Sequence, residues 1–489
     1  MKYSRLVSSK VVLALVVGLS ACGGGGGSGT STPDGGAGNT AAAITRGVIT
    51  GFGSVFVNGV EYEIEGDTDV SLDGQAGSES GLEVGMVVTL QGTVNADGTT
   101  GIATSIVYAD ELEGIVTATA LSGGLGSLTV MGQTVNVTAE TVFDSEVDAI
   151  TTLDGIAVGN VVEVSGHASS DGTIYATRVE VKRAAQDDSE IEVKGVISGL
   201  TATTFQLGGL TVDFSALSAD ALPEGVLADG LFVEVKSTTA FDGSGALIAS
   251  EIELEDDGFR SHEGEEGEDV EIDGMVTADF AGNQFEINGR RVLIDDDTAF
   301  ENGDSSNLLA GTKAKVEAEY DASGQLVATE IEFTEQAELG LEGTVEAVDA
   351  AASTLTVLGQ TILVNNATIM IDESADAERY FNLADISAAN SDYVEVEGYL
   401  DSASGHLVAT KLKRDSVSSD AAVNGIAEVD GATITVAGIT VDLSGISPTP
   451  DIASGDEIEV EGVYNDGVLF ADAVSLDNEG NDDSDDTDE

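Results

Sequence analysis

One short phrase recurs six times along the chain. An apolar-x-apolar-x-Gly-x-x-apolar pattern occupies residues 55–62, 128–135, 205–212, 285–292, 355–362 and 434–441. A fixed internal order repeated in series requires an array of like supersecondary units, and it argues against one large enzyme domain. Each unit opens on a glycine, at Gly47, Gly114, Gly195, Gly274, Gly343 and Gly425, and these are 67 to 82 residues apart. That spacing lies near the lower limit for an autonomous core.

Within a unit the period is two. In the second, Leu128-Thr129-Val130 and Val135-Asn136-Val137 alternate on either side of Gly132, the pattern of half-buried strands joined by a tight turn. Asn58-Gly59 and Asn288-Gly289 favour a type I′ turn. A Thr-x-apolar step follows, at Thr68, Thr141 and Thr298, and then a loop of variable length. The next strand alternates Glu with Val, as in 161–164 and 458–460, which sets carboxylates toward water and valines toward a core. A turn that often carries glycine leads into a closing strand such as Leu326-Val327-Ala328-Thr329-Glu330-Ile331. Helical turns are expected only in the variable loop, around 216–221 and 375–382. Five or six strands in roughly 60 residues would close on themselves to remove their edges. The expected fold is all-β, a tandem array of about six small antiparallel OB-like β-barrels, with small β-sandwiches as the alternative.

The expected boundaries are 45–112, 113–182, 193–254, 271–333, 341–414 and 423–476. The segments 183–189, 255–269 and 415–421 read as polar linkers. Little slack separates units one and two, or four and five, so these should abut. Residues 477–489 form an acidic low-complexity tail, expected to be disordered.

The amino-terminal 21 residues read as a signal peptide: Lys2, Arg5 and Lys10 precede an apolar run at 11–19 that is too short to span a bilayer. The run ends in Leu19-Ser20-Ala21-Cys22, which resembles the bacterial lipobox. The resemblance implies cleavage before Cys22 and acylation of that residue, and two or three acyl chains give stable anchoring. Residues 22–44, rich in Gly, Ser and Thr, read as a flexible tether. The expected address is the bacterial cell envelope, at the outer membrane, with the membrane as partner through Cys22.

The stretch Arg46-Gly47-Val48-Ile49-Thr50-Gly51-Phe52-Gly53-Ser54-Val55-Phe56-Val57-Asn58-Gly59, with Leu82-Glu83-Val84-Gly85-Met86-Val87-Val88 and Leu112-Glu113-Gly114, resembles the bacterial Domain of Unknown Function 5666. That family occurs in tandem on bacterial lipoproteins, so the resemblance implies the same fold and address. It carries no activity and no catalytic residues to transfer. Units two to six keep the skeleton but replace the Gly-Phe-Gly-Ser step.

The 18 Lys and Arg face 89 Asp and Glu, for a net charge of −71. A field of that sign repels phosphate backbones, so no nucleic-acid partner is expected. No catalytic constellation is legible. Cys22, the only cysteine, is assigned to lipid. His167 and His406 are read as turn histidines and His262 as a linker histidine, all exposed. No Gly-x-Ser-x-Gly elbow or phosphate loop is present, and three scattered histidines do not make a zinc site. Calcium, which takes oxygen ligands, is the better metal candidate. Asp295-Asp296-Asp297, residues 263–269, and Asp482-Asp483 with Asp485-Asp486 are dense in carboxylates, but none has EF-hand spacing. No metal site is assigned and no cofactor is expected beyond weak calcium association. With no Trp, a sugar-stacking platform has no support. The leading expectation is therefore a non-enzymatic, lipid-anchored binding or spacer array for an unknown protein or polysaccharide. A calcium-binding envelope protein is the alternative, and a carbohydrate-active enzyme ranks third.

Overall fold

The computed structural model describes residues 41–477 except 170, 171, 188, 219–221, 224–226, 240, 243, 244, 256–258, 260, 261, 263, 334–338, 376 and 402–404. The signal peptide, the lipobox with Cys22, nearly all of the tether and the acidic tail from 478 lie outside the described residues.

Six modules follow one strand plan. In module 2 the five strands are Leu112–Ser122, Leu125–Val130, Gln133–Val137, Val161–Ala168 and Ile174–Arg183. The first pairs antiparallel with the second and the fourth, the second with the third, and the fourth with the fifth. The circle closes where Ile174 and Tyr175 of the fifth strand lie parallel to Val135 and Asn136 of the third. The same parallel closure recurs in modules 1, 3, 4, 5 and 6. The array is thus six five-stranded barrels with OB-like strand order. They are antiparallel except at this closure and at short extra strands, such as Val142–Ser145, that also run parallel to the fifth. The described turns of helix are 3-10 pieces in the variable loops, such as Leu153–Gly155 and Leu383–Asp385.

Two repeated sequence features have local causes. The Thr of the Thr-x-apolar step accepts from the backbone N–H three residues earlier and donates to an alanine carbonyl of the closing strand. This happens at Thr68 to Ala103, Thr141 to Ala176, Thr298 to Ala328 and Thr368 to Ala409, each donation spanning 2.8 Å. One hydroxyl therefore ties the variable loop to the strand that closes the barrel.

The opening glycine has a steric cause. The hairpin turn between strands two and three needs positive φ at both central residues. Asn58 and Gly59 adopt 51° and 83°, Met131 and Gly132 adopt 47° and 79°, and Asn288 and Gly289 adopt 48° and 73°. In that conformation the side chain of the first turn residue folds back over the opening strand. A Cβ on Gly47, Gly114 or Gly274 would overlap Asn58, Met131 or Asn288 respectively. Asn288 is fastened there, accepting from the Met275 N–H at 3.1 Å and donating to the Asp273 carbonyl at 3.2 Å.

The modules do not stand apart, and sequence order does not decide which ones share a sheet. The opening strand of module 1 pairs in parallel with that of module 4, setting Thr45 beside Glu271 and Arg46 beside Ile272. Modules 2 and 3 pair antiparallel at Leu112 with Val193 and Glu113 with Glu192. Modules 5 and 6 pair antiparallel at Leu341 with Val423. Three sheets of 12, 12 and 11 strands result. One apolar cluster runs through modules 2 and 3 and another through modules 5 and 6, whereas modules 1 and 4 keep separate cores except that Ile44 of module 1's opening strand packs into that of module 4. Modules 1 and 2 do touch, as their short connection suggests.

Candidate functional site

The alternating glutamates of strand four do not simply face water, as the sequence pattern suggests. Around the seam of modules 2 and 3, the side chains of Glu163, Glu180, Glu192 and Glu234 are 13%, 12%, 15% and 7% exposed. Like charges such as Glu113 and Glu192 stand directly opposite each other, an arrangement that destabilises a sheet unless cations intervene. The cations are supplied by the chain's few lysines and arginines. Arg183 meets Glu113 at 2.6 Å, and Lys182 meets Glu146, Glu180 and Glu163 at 2.8, 3.0 and 3.3 Å. Lys236 meets Glu234 at 3.1 Å. Among the described residues Arg291 is the one Lys or Arg left largely exposed; the others are buried or half-buried.

The densest of these clusters joins module 1, just before its junction with module 2, to module 3. Lys194, with a side chain 3% exposed, sits 2.6 Å from Asp110, 3.6 Å from Glu234 and 3.8 Å from both Asp73 and Glu192. Its ammonium also donates to the Asp110 carbonyl at 2.9 Å, and Asp73 braces Asp110 by accepting its N–H. Burial disfavours the ammonium, but the surrounding carboxylates, Asp110 first, outweigh it and hold Lys194 charged well above the usual range. Glu192 is pushed up to about 7, first by burial and then by Glu234. Oxygens of Asp73, Asp110 and Glu192 lie within 4.8 Å of one another, a spacing a cation would accept. That trio does not fit a calcium ion, because the Lys194 ammonium already stands among its oxygens.

A second carboxylate group lies at the seam of modules 5 and 6. Glu342, Glu395, Glu397 and Glu459, with Asn424, line a cavity of about 20 Å³. Burial, and then neighbouring carboxylates, push Glu397 up to about 7, although Lys411 pulls it back. Tyr393 donates to Glu342 at 3.1 Å and Lys413 meets Glu395 at 2.5 Å. The cleft beside Lys194 holds about 10 Å³. Either space takes about one water molecule, against roughly 300 Å³ or more for a small-molecule site.

Further contacts lock the pairs together, with module 2 at the hub. Its Thr177 hydroxyl donates to the Gly85 carbonyl of module 1 at 2.6 Å, and its Arg178 donates to the Val84 carbonyl at 3.2 Å. Its Glu140 meets Lys313 of module 4 at 3.4 Å, and its Ala139 carbonyl accepts from Lys411 of module 5 at 2.8 Å. The Gly-Phe-Gly-Ser step peculiar to module 1 serves the contact with module 5. The Arg379 guanidinium stacks 4.0 Å from the Phe52 ring centre, pairs with Glu83 at 3.0 Å and donates to the Glu79 and Leu82 carbonyls.

The histidines divide. His406 is exposed, as expected. His262 is only partly buried and lies 3.2 Å from Glu268. His167 departs from expectation: it lies within strand four of module 2, is 3% exposed, and neither ring nitrogen has a hydrogen-bond partner. Asp295 forms a local turn, accepting from the Asp297 N–H at 2.9 Å; Asp482, Asp483, Asp485 and Asp486 lie outside the described residues. The sequence offers one signal for Lys194: a cation kept in so acidic a chain has a carboxylate to neutralise.

These features define a class, a tandem OB-like barrel protein whose barrels are pinned to one another through buried cations. More particularly, the chain belongs to the family described as Domain of unknown function (DUF5666), whose model matches it six times, at residues 43–107, 113–180, 194–253, 273–332, 342–413 and 424–475. A search of the curated proteins finds no match. Among solved structures, a Drosophila Unr CSD456 structure is 16% identical, with 45% of this chain and 95% of that one covered and a TM-score of 0.12. A multidomain protein with nucleic acid binding domains from Streptococcus pneumoniae is 11% identical over 49% of this chain and 76% of that one, also at 0.12. Likenesses at that score carry no weight for fold or ligand.

Proposed function

We propose that the chain is a non-enzymatic, lipid-anchored array at the bacterial envelope that holds six barrels as one acidic body, serving as a spacer or as a binding surface for a protein or polysaccharide. The observation that carries this reading is that Arg178, Lys194, Lys313, Arg379 and Lys411 each bind a residue of another module, while the other described cations except Arg291 are at least half-buried, which leaves the outward surface to carboxylates. The lipobox at Leu19, Ser20, Ala21 and Cys22 supports the anchor, and outer-membrane attachment through Cys22 is part of the proposal. Calcium gains no support from the Asp73, Asp110 and Glu192 trio, because Lys194 supplies the charge there. Cells fed labelled palmitate are expected to label the wild-type chain and to leave Cys22→Ser unlabelled and released from the membrane fraction. Label retained on Cys22→Ser would contradict the anchor.

A further inference from the structure

We propose that the contact between module 2 and modules 1 and 4 is an acid-opened joint governed by His167, which loosens in mild acid while the seams within the module pairs hold. His167 stands where three modules meet. Its strand, Val161–Ala168, contacts both Val87–Val94 of module 1 and Asp269–Ala281 of module 4. Two residues earlier, Ser165 accepts the Val87 N–H across the joint at 2.8 Å. Opposite His167 lies Tyr175, whose hydroxyl approaches Gly311 of module 4.

The charged groups around the ring are of the wrong sign for a proton. Module 1 contributes Arg46, whose guanidinium donates to Thr89 and stands 3.9 Å from Glu111. Module 4 contributes Lys313, which is paired with Glu140 and also feels Asp273. Burial, then Arg46, then Lys313 hold the imidazole neutral down to about pH 3. Among the described residues these two cations are the charged groups acting on it. In the opened joint the ring regains its ordinary value of about 6.5. The open state therefore binds the proton better throughout the interval from about 6.5 to about 3, and opening is favoured about tenfold for each pH unit below 6.5. The seams respond in the opposite sense. Glu192 and Glu397 take up protons near pH 7 in the folded state, so the 2/3 and 5/6 pairs gain stability as pH falls from there toward the ordinary carboxylate range.

The Val87 amide reports the joint directly, since its hydrogen bond crosses it. Hydrogen exchange at Val87 in the full chain, corrected for the intrinsic rate, is expected to lose protection about tenfold per unit between pH 6.5 and 5. In His167→Leu the slope should vanish, and His167→Gln, also uncharged throughout, should behave alike. Only the slope counts, so a uniform loss of protection in either variant leaves the test intact. A flat wild-type profile, or the wild-type slope surviving in both variants, overturns the proposal.

Discussion

Replacing Lys194 with Met is expected to destabilise the array by about 3–5 kcal/mol, the usual cost of removing one partner from a buried ion pair. The ammonium is in contact with four carboxylates, two from module 1 and two from module 3, and Asp110 and Glu234 are themselves almost wholly buried. Without it, Asp110 must take up a proton or admit water, and Glu192 and Glu234 lose the positive charge beside them. Because several modules unfold together or apart, the effect should be read by residue-resolved hydrogen exchange and not from one melting temperature. Loss of protection should concentrate in Ile191–Ser198 and Leu112–Ser122. The loss should shrink at lower pH, where the orphaned carboxylates are neutral. An unchanged variant would mean that the cluster is solvated.

Gly274→Ala should cost roughly 2–3 kcal/mol, within the range for overpacking a close-packed interior. The new methyl would occupy the space of the Asn288 side chain, and that amide cannot swing away without giving up its bonds to Met275 and Asp273. The same substitution at Gly98 or Gly324, where a Cβ meets nothing, is opposed only by the positive φ of 73° or 74° and should cost about 1 kcal/mol. Urea titration of the three variants, followed through module-specific amides, separates the two mechanisms. Equal losses at all three positions would remove the steric account of the opening glycine.

The barrel was legible in the sequence because its determinants are local. Period-two alternation, Asn58-Gly59 and Asn288-Gly289, and the recurring Thr step each act within a few residues of themselves. What joins modules was not legible, because it depends on contacts between residues far apart in the chain. Nothing near Thr45 announces Glu271, and nothing near Lys313 announces Glu140. The alternating glutamates looked solvent-facing because a strand shows only which residues share a face, not what covers that face. His167 is hidden for the same reason: its place just before the Asp171-Gly172 turn suggests exposure, whereas its strand packs against modules 1 and 4.

The account rests on module 2 being held against a module that lies far away in sequence. Zero-length carbodiimide coupling of the dilute, monomeric chain, read by mass spectrometry, tests this most directly, since the chain has few lysines and Lys313 and Glu140 are both 22% exposed at 3.4 Å. The account predicts an intramolecular amide between Lys313 and Glu140, accompanied by Lys315 with Glu271 within module 4. Coupling of Lys313 only to carboxylates of its own module, with Lys315 and Glu271 joined as a control, would contradict it.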